Sequence, residues 1–450
     1  MPSPLSFSRF ADHLRPGSRV YLPGGAAHSP LFERWLRDAA ERCVGVWFGG
    51  VWIPGINRFD PSSLHAQASA SSFFISKDLQ AGWQRGAVHH LPLHYSEAER
   101  WLATPGRFNL VLLQLAPPDE LGRCSLSISC DFAPAVMAGL DPQAVVLAHI
   151  NPHLPRTSGP WVALEHIDAW VEEATPLLTV PPERDDVVLN RVAERVAALV
   201  HDGDTLQLGL GRLQAAVLAR LHGHRHLRLH GGMVSDGVLG LADTGALAPP
   251  HSTQRGAASQ APLCAGLALG SHLFYQRVAD PDDPAFVQFA PVGHTHGQAT
   301  LAALPRLLAI NSALEIDLLG QVNCEWLHGQ VCSGVGGLVD FVRGARASVG
   351  GRAVIAASAE VVPKGNNSTG GGKASASPQV PTLRSRIVPL LAPGTVSLAR
   401  SDVDIVVTEH GAASLRNLDI DARAHALINI AAPNQRETLA QAWHTLRSHF

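Results

Sequence analysis

Lysine is almost missing: only Lys77, Lys364 and Lys373 stand among the 35 basic residues of this 450-residue chain. The basic residues are outnumbered by 38 acidic ones, giving a net charge of −3, so no basic field speaks for a nucleic-acid partner. The excess of arginine reads as codon usage. Cysteine is scarce and scattered (Cys43, Cys124, Cys130, Cys264, Cys324, Cys332) with no CxxC. In a chain this long, such spacing reads as buried thiols in a reducing compartment, not as a disulfide frame. Long apolar runs are lacking too. The stretch 256–276 carries no charge, but Ser, Gln and His interrupt it and make it too polar for a membrane span. The opening MPSPLSFSRF lacks the apolar core of a secretory signal. A cytoplasmic protein with neither membrane nor nucleic acid as partner is expected. There is no GxSxG elbow and no HExxH, which removes the commonest esterase and zinc-protease signatures.

What is present is 46% hydrophobic residues, 41 Gly and 32 Pro, the profile of a well-buried globular protein with many turns. The length suggests two or three domains. An internal repeat sharpens this. LRPGSRVYLPGGAAHSPLFERW (14–35) aligns with VHDGDTLQLGLGRLQAAVLARL (200–221) at a constant offset of 186, so that Gly17 meets Gly203, Leu22 meets Leu208 and Gly25 meets Gly211. LVLLQLAPPDELG (110–122) aligns with LLAINSALEIDLLG (307–320) at an offset of 198, pairing Asp119 with Asp317, Leu121 with Leu319 and Gly122 with Gly320. Two pairs in the same order argue for duplication, and the Pro/Ser/Gly-rich stretch 249–262 is where a surface insertion would lengthen the offset. Short apolar runs at 111–115, 144–148, 205–208, 307–310, 354–357 and 405–407 read as buried strands. The apolar stripe Val188, Val192, Val196, Leu199 reads as a helix. Strands alternating with helices predict an α/β fold with parallel sheets. The Pro/charge-rich piece 179–186 places the boundary between halves 1–185 and 186–450. The low-complexity stretch 364–380 predicts a mobile loop.

The best local motif is LQLGLGRLQAAVLARL. Gly209 and Gly211 stand where a strand hands over to a helix, so backbone N–H groups there are placed for an anion or an oxyanion. The third glycine of GxGxxG is missing, so this is no dinucleotide fingerprint; a plain strand–helix turn is the alternative. A second cluster, CSGVGGLVDFVRGA (332–345), exposes Gly334, Gly336 and Gly337, with Arg343 either touching phosphate or paired to Asp340. The histidine-rich spots 88–94, 222–226 and 293–297 lack zinc spacing and read as core or solvated histidines, with no metal expected.

With these strings in hand, the chain resembles the acetyl-CoA hydrolase/transferase family, which includes 4-hydroxybutyrate and succinyl-CoA:acetate CoA-transferases. The matching strings are QLAPPDELG (114–122), NPHLPRT (151–157), LQLGLG (206–211), HGGMVSDGV (230–238), INSALEIDLLGQVNCE (310–325), SGVGGLVDFVRGA (333–345), SRIVP (385–389) and VVTEHGAASLR (406–416). The resemblance implies two similar CoA-transferase-type α/β domains with the active site between them, coenzyme A as substrate, a small carboxylate as acceptor, and a homodimer or higher homo-oligomer. It implies covalent catalysis in which a glutamate attacks the acyl-CoA thioester and then becomes an enzyme–CoA thioester. It also places a CoA-binding loop at Gly209, Leu210, Gly211, Arg212 and Leu213, the second loop at Gly334, Gly336 and Gly337, and Asn311 facing the site.

The nucleophile departs from the pattern. The family's glutamate falls on Gly232 in His230-Gly231-Gly232-Met233, and glycine has no side chain to attack with. Arg212 also stands where the family more often has a small residue. Three readings stay open: transfer or hydrolysis by a changed route, with Asp236, Glu315 or Asp317 as base or as structural carboxylates; a non-catalytic acyl-CoA-binding sensor or partner subunit; or a scaffold that has lost CoA.

Overall fold

The computed structural model describes residues 3–181, 185–249, 261–280, 283, 286–327, 329–362 and 383–449. The stretch 364–380 lies outside them, as do most of the insertion site 249–262 and residues 182–184 of the boundary piece.

Two eight-stranded sheets dominate. The first runs Val88–His90, Ser69–Ser72, Trp47–Gly49, Arg19–Tyr21, Leu110–Leu115, Val145–Ile150, Ala169–Glu172, Ser3–Pro4, with every neighbouring pair parallel. The second runs Val287–Phe289, Leu263–Ala268, Arg228–Val234, Thr205–Leu208, Leu307–Ser312, Arg352–Ala356, Ile405–Thr408, Gly411–Ser414, and only its last pair is antiparallel. Read from the same edge, the first seven strands follow one order in both halves, as a duplicated unit would. All six runs expected as strands lie in these sheets. Their burial on both faces fits the near-continuous apolar character of parallel strands, as in Leu110–Leu115, which is buried throughout.

The glycines that align between the halves all have left-handed backbones: Gly17 and Gly203 (φ +87° and +74°), Gly25 and Gly211 (+58° and +129°), Gly122 and Gly320 (+71° and +88°). A side chain is disfavoured there, so the repeat survives at turn positions. The paired aspartates build one turn twice. Asp119 Oδ1 accepts from the N–H of Leu121 and Arg123 (3.0 and 2.8 Å), and Asp317 Oδ1 accepts from those of Leu319 and Gln321 (3.1 and 2.9 Å).

The expected helix is Val187–Ala197, started by the Asp186 side chain, which accepts from the N–H of Val188 and Leu189. Val192 and Val196 of the stripe are buried, whereas Val188 in its first turn is exposed. The uncharged stretch 256–276 contains the buried strand Leu263–Ala268 and enters the helix His272–Val278. Among the described residues, no helix is long and apolar enough to cross a membrane. All six cysteines are free.

The largest of the three buried apolar clusters among the described residues is common to both halves. A single buried apolar cluster contains Phe73, Tyr95, Leu113 and Ile128 from the first half with Leu206, Leu208, Leu267 and Val292 from the second. Main-chain hydrogen bonds also cross, from Ile75 N–H to Ser333 O (3.1 Å), Tyr95 N–H to Gly336 O (3.0 Å) and Cys130 N–H to Gly266 O (2.9 Å).

Candidate active site

In the second sheet, strand order reverses between Thr205–Leu208 and Leu307–Ser312. Helices leave such neighbours in opposite directions, so a crevice opens beyond their carboxyl ends. A cavity of about 340 Å³ lies there, against the other half. Gln207, Leu208, Gly209, Leu210 and Asn311 come from these strand ends; Gly232 and Met233 from Arg228–Val234; Ser333, Gly336, Gly337 and Phe341 from the second glycine loop and its helix. The first half contributes Ile53, Pro54, Ile56, Phe74 and Tyr95.

Of the residues singled out in the sequence, Gly209, Leu210, Gly232, Asn311, Gly336 and Gly337 line this one cavity. A side chain at Gly209 would meet nothing within 4 Å, so its backbone is open to a ligand. Gly336 has φ +57°, and a Cβ at Gly334 would stand 2.0 Å from Phe73 O, so close approach between the halves requires glycine there. Gly334 thus packs behind the cavity wall. Gly211, Arg212 and Leu213 start the helix Arg212–Leu218 and do not line the cavity; the Arg212 guanidinium donates to Asp186 (3.1 Å) and Leu213 is buried.

The three candidate bases also stand apart from the lining, each engaged elsewhere. Asp236 accepts from the N–H of Ser271 (2.9 Å) and from its hydroxyl. Glu315 pairs with Arg384 and accepts from Asn323 Nδ2 (3.2 Å). Asp317 closes the turn described above. Arg343 pairs with Asp402 (3.0 Å), not with Asp340, whose carboxylate takes the N–H and hydroxyl of Ser96 across the halves (3.1 and 2.7 Å).

Around Gly232 stands machinery that the sequence did not announce. A Cβ at Gly232 would lie 3.0 Å from His296 Cε1 and 3.3 Å from Nε2, so the imidazole occupies the space beside that backbone. His296 sits between Tyr95 and Phe341 (ring centroids 4.8 and 4.5 Å away), and its Nδ1 bonds the Thr295 hydroxyl (2.9 Å). Burial, with His230 nearby, pushes it down to about 3, so the ring is neutral. Asn311 Nδ2 donates to Gln207 Oε1 (3.0 Å), fixing two amides at the strand ends. Asp131 is buried, its Oδ1 without a hydrogen-bond partner among the described residues. His296 lies in a noted histidine spot; Asp131 lies in the run CSLSISCDF, where a lone acid among small and apolar residues was the available signal.

Only one group of candidate metal ligands converges among the described residues: ring nitrogens of His230 and His294 and the thiol of Cys264, within 4.8 Å of one another. Ligand atoms sharing one tetrahedral zinc stand about 3.3–3.8 Å apart, so this set would have to draw in. His230 Nε2 is bonded to Thr295 O (3.1 Å), and burial pushes the Cys264 thiol up to about 12.

Two mostly parallel sheets of one strand order, with a glycine-lined cavity at their contact, define an α/β protein of the CoA-transferase type. Residues 270–443 match the acetyl-CoA hydrolase/transferase C-terminal domain. The chain is 35% identical over 334 residues to the 4-hydroxybutyrate coenzyme A transferase of Clostridium kluyveri, covering 74% of this chain and 71% of that one. It is 28% identical to the succinyl-CoA:acetate/propanoyl-CoA:succinate CoA transferase of Fasciola hepatica over 98% of this chain and 89% of that one. The solved structure of the 4-hydroxybutyrate CoA-transferase from Porphyromonas gingivalis superposes with TM-score 0.74 at 27% identity over 99% of this chain and 97% of that one. RipA from Yersinia pestis gives 0.85 at 25% identity over 99% and 98%. The chain belongs to the acetyl-CoA hydrolase/transferase family, whose members are CoA-transferases and acetyl-CoA hydrolases.

Proposed function

We propose that the protein works on a small acyl-CoA, as an acyl-CoA:carboxylate CoA-transferase or acyl-CoA hydrolase, by a route without a glutamyl intermediate. The observation that carries this reading is that Gly232 faces the cavity between the halves, together with the backbone of both glycine loops. In this reading Gly209 and Leu210 receive the CoA end, and Asn311, Gly336 and Gly337 surround the thioester. No charged side chain lines the cavity among the described residues, so the acyl group carries no second charge. A dicarboxylic acyl chain would strand a carboxylate there, at a cost of several kcal/mol (about 2–7 even for a neutral polar group). The route has to bypass position 232, because a glycine offers no nucleophile. Asp236 and Glu315 are engaged in structural hydrogen bonds, which favours the second reading: an acyl-CoA-binding subunit without turnover.

One experiment separates the two. Purified protein is incubated with acetyl-CoA and longer acyl-CoAs, with and without a panel of carboxylates, while acyl exchange and free thiol are followed; CoA and acyl-CoA are titrated by calorimetry. Turnover above blank establishes the enzyme. Binding without turnover establishes the second reading, and no heat up to millimolar ligand removes both.

A further inference from the structure

A small chamber of about 20 Å³ adjoins the main cavity, with Ile53 and Tyr95 as common walls. It lies beyond the carboxyl end of Arg19–Tyr21, where strand order reverses in the first sheet. Its size is that of one water molecule, and its polar lining includes Asp131 and Ser129. Asp131 is only 7% exposed. A carboxyl oxygen this deep without a hydrogen bond is costly, and folded proteins rarely keep one without a use.

Its place is specific. Asp131 belongs to the first half but reaches the second sheet: Cys130 N–H donates to Gly266 O, and Asp131 O accepts from Val292 N–H (2.9 Å each). A Cβ on Gly266 would lie 1.8 Å from Asp131 Oδ1 and 3.2 Å from Gly232 O. Gly266 is therefore the recess that seats this carboxyl, on the strand paired with the one carrying Gly232.

We propose that Asp131 is the general base of acyl-CoA hydrolysis in this protein, activating one water held in the small chamber against the thioester at Gly232. The inference rests on the acyl-CoA reading above and deepens it to hydrolysis. As the water oxygen bonds to the thioester carbonyl carbon, one of its protons passes to Asp131 and the carbonyl electrons move to oxygen. When the tetrahedral intermediate collapses, the C–S bond breaks and the CoA thiolate takes the proton from Asp131. The products are the free acid and CoA thiol, and no covalent enzyme species forms. The uncharged cavity favours water over a carboxylate as attacking group, since no cation among its lining residues would hold an acceptor anion.

The pH dependence follows. Burial and then the charge of Glu99 push Asp131 up to about 8. The titratable groups that feel its charge are Glu99 and Tyr95 on one helix and Tyr21 and Cys130 from the same half; in the second half, Cys264 faces Cys130 and the segment after Val292 carries His294 and His296. The base form predominates only above about 8, so kcat should rise with pH and level off beyond that value.

The test uses the full chain and its Asp131→Asn variant. Thiol release from acyl-CoA is followed from pH 5.5 to 9.5, acyl-CoA affinity by calorimetry, and folding by thermal melt. In the variant, kcat should fall at least 100-fold and lose its inflection, with affinity within threefold and a cooperative melt. If the wild type hydrolyses acyl-CoA and the folded variant keeps its rate and inflection, Asp131 is not the base and the acyl-CoA reading survives. If the wild type binds acyl-CoA but never turns it over, the enzymatic reading and this role are overturned together. Should the variant fail to fold, Asp131→Glu replaces it; an unshifted inflection there equally refutes the proposal.

Discussion

Gly232 lines the cavity without a side chain, so the chemistry open to the site depends on its neighbours. Its Cβ position touches His296, which is confined by Tyr95 and Phe341. Introducing a carboxylate as Gly232→Glu therefore means displacing a packed ring by a few tenths of an ångström. Overpacking of this kind costs about 1–3 kcal/mol, so the variant should melt a few degrees lower. It should also gain what the wild type lacks: a CoA adduct, seen as a mass increase of the intact protein after incubation with acyl-CoA. A variant that stays folded, binds acyl-CoA and forms no adduct would mean that the thioester is not held against position 232. The two residues that matter most beside it, His296 and Asp131, were differently legible. His296 sat in a histidine-rich string, and the 23 histidines of the whole chain argued for the bland reading. Asp131 is meaningful only through Gly266, 135 positions away, and no periodicity connects a carboxyl with the glycine that makes room for it.

Elements were legible where one physical requirement dominated. Leu110–Leu115, Thr205–Leu208 and Leu307–Ser312 are central parallel strands, so apolarity alone identifies them. The strands Trp47–Gly49, Ser69–Ser72 and Val88–His90 escaped notice because they are short and include Ser, Gly and His, which carry little β signal. Arg228–Val234 escaped because its HGG centre, of which Gly232 lines the cavity, has no apolar alternation to display. The turns, by contrast, left their mark through glycine. Gly122 offers a clean measurement: a Cβ there would meet only Leu164 Cβ at 3.9 Å, so Gly122→Ala tests backbone conformation almost alone. We expect about 1–2 kcal/mol of destabilisation in urea unfolding. At the duplicate position, Gly320→Ala should cost more, because its Cβ would also press on Arg423 and Leu415 at 3.1 Å. Equal, negligible effects at both sites would contradict the shared turn geometry.

On the scale of the whole molecule, the two sheets share one strand order but are not separate bodies. The apolar cluster at their contact is common to both, and main-chain hydrogen bonds tie the second glycine loop to the segments that follow two strands of the first half. Unfolding one half would expose the inner face of the other, so the chain should unfold in a single cooperative step. Tryptophan gives a convenient check. Seven of the nine (Trp35, Trp47, Trp52, Trp83, Trp101, Trp161, Trp170) lie before residue 186, so indole emission follows mainly the first half, while far-ultraviolet circular dichroism follows both. The two signals should give one midpoint in denaturant. Acyl-CoA seated between the halves should raise that midpoint without splitting it, through about 2.7 kcal/mol of added stability at a hundredfold excess over Kd. Midpoints that separate, with ligand shifting only one of them, would show that the cavity belongs to one half alone, and the water chamber at Asp131 could not then serve a thioester held at Gly232.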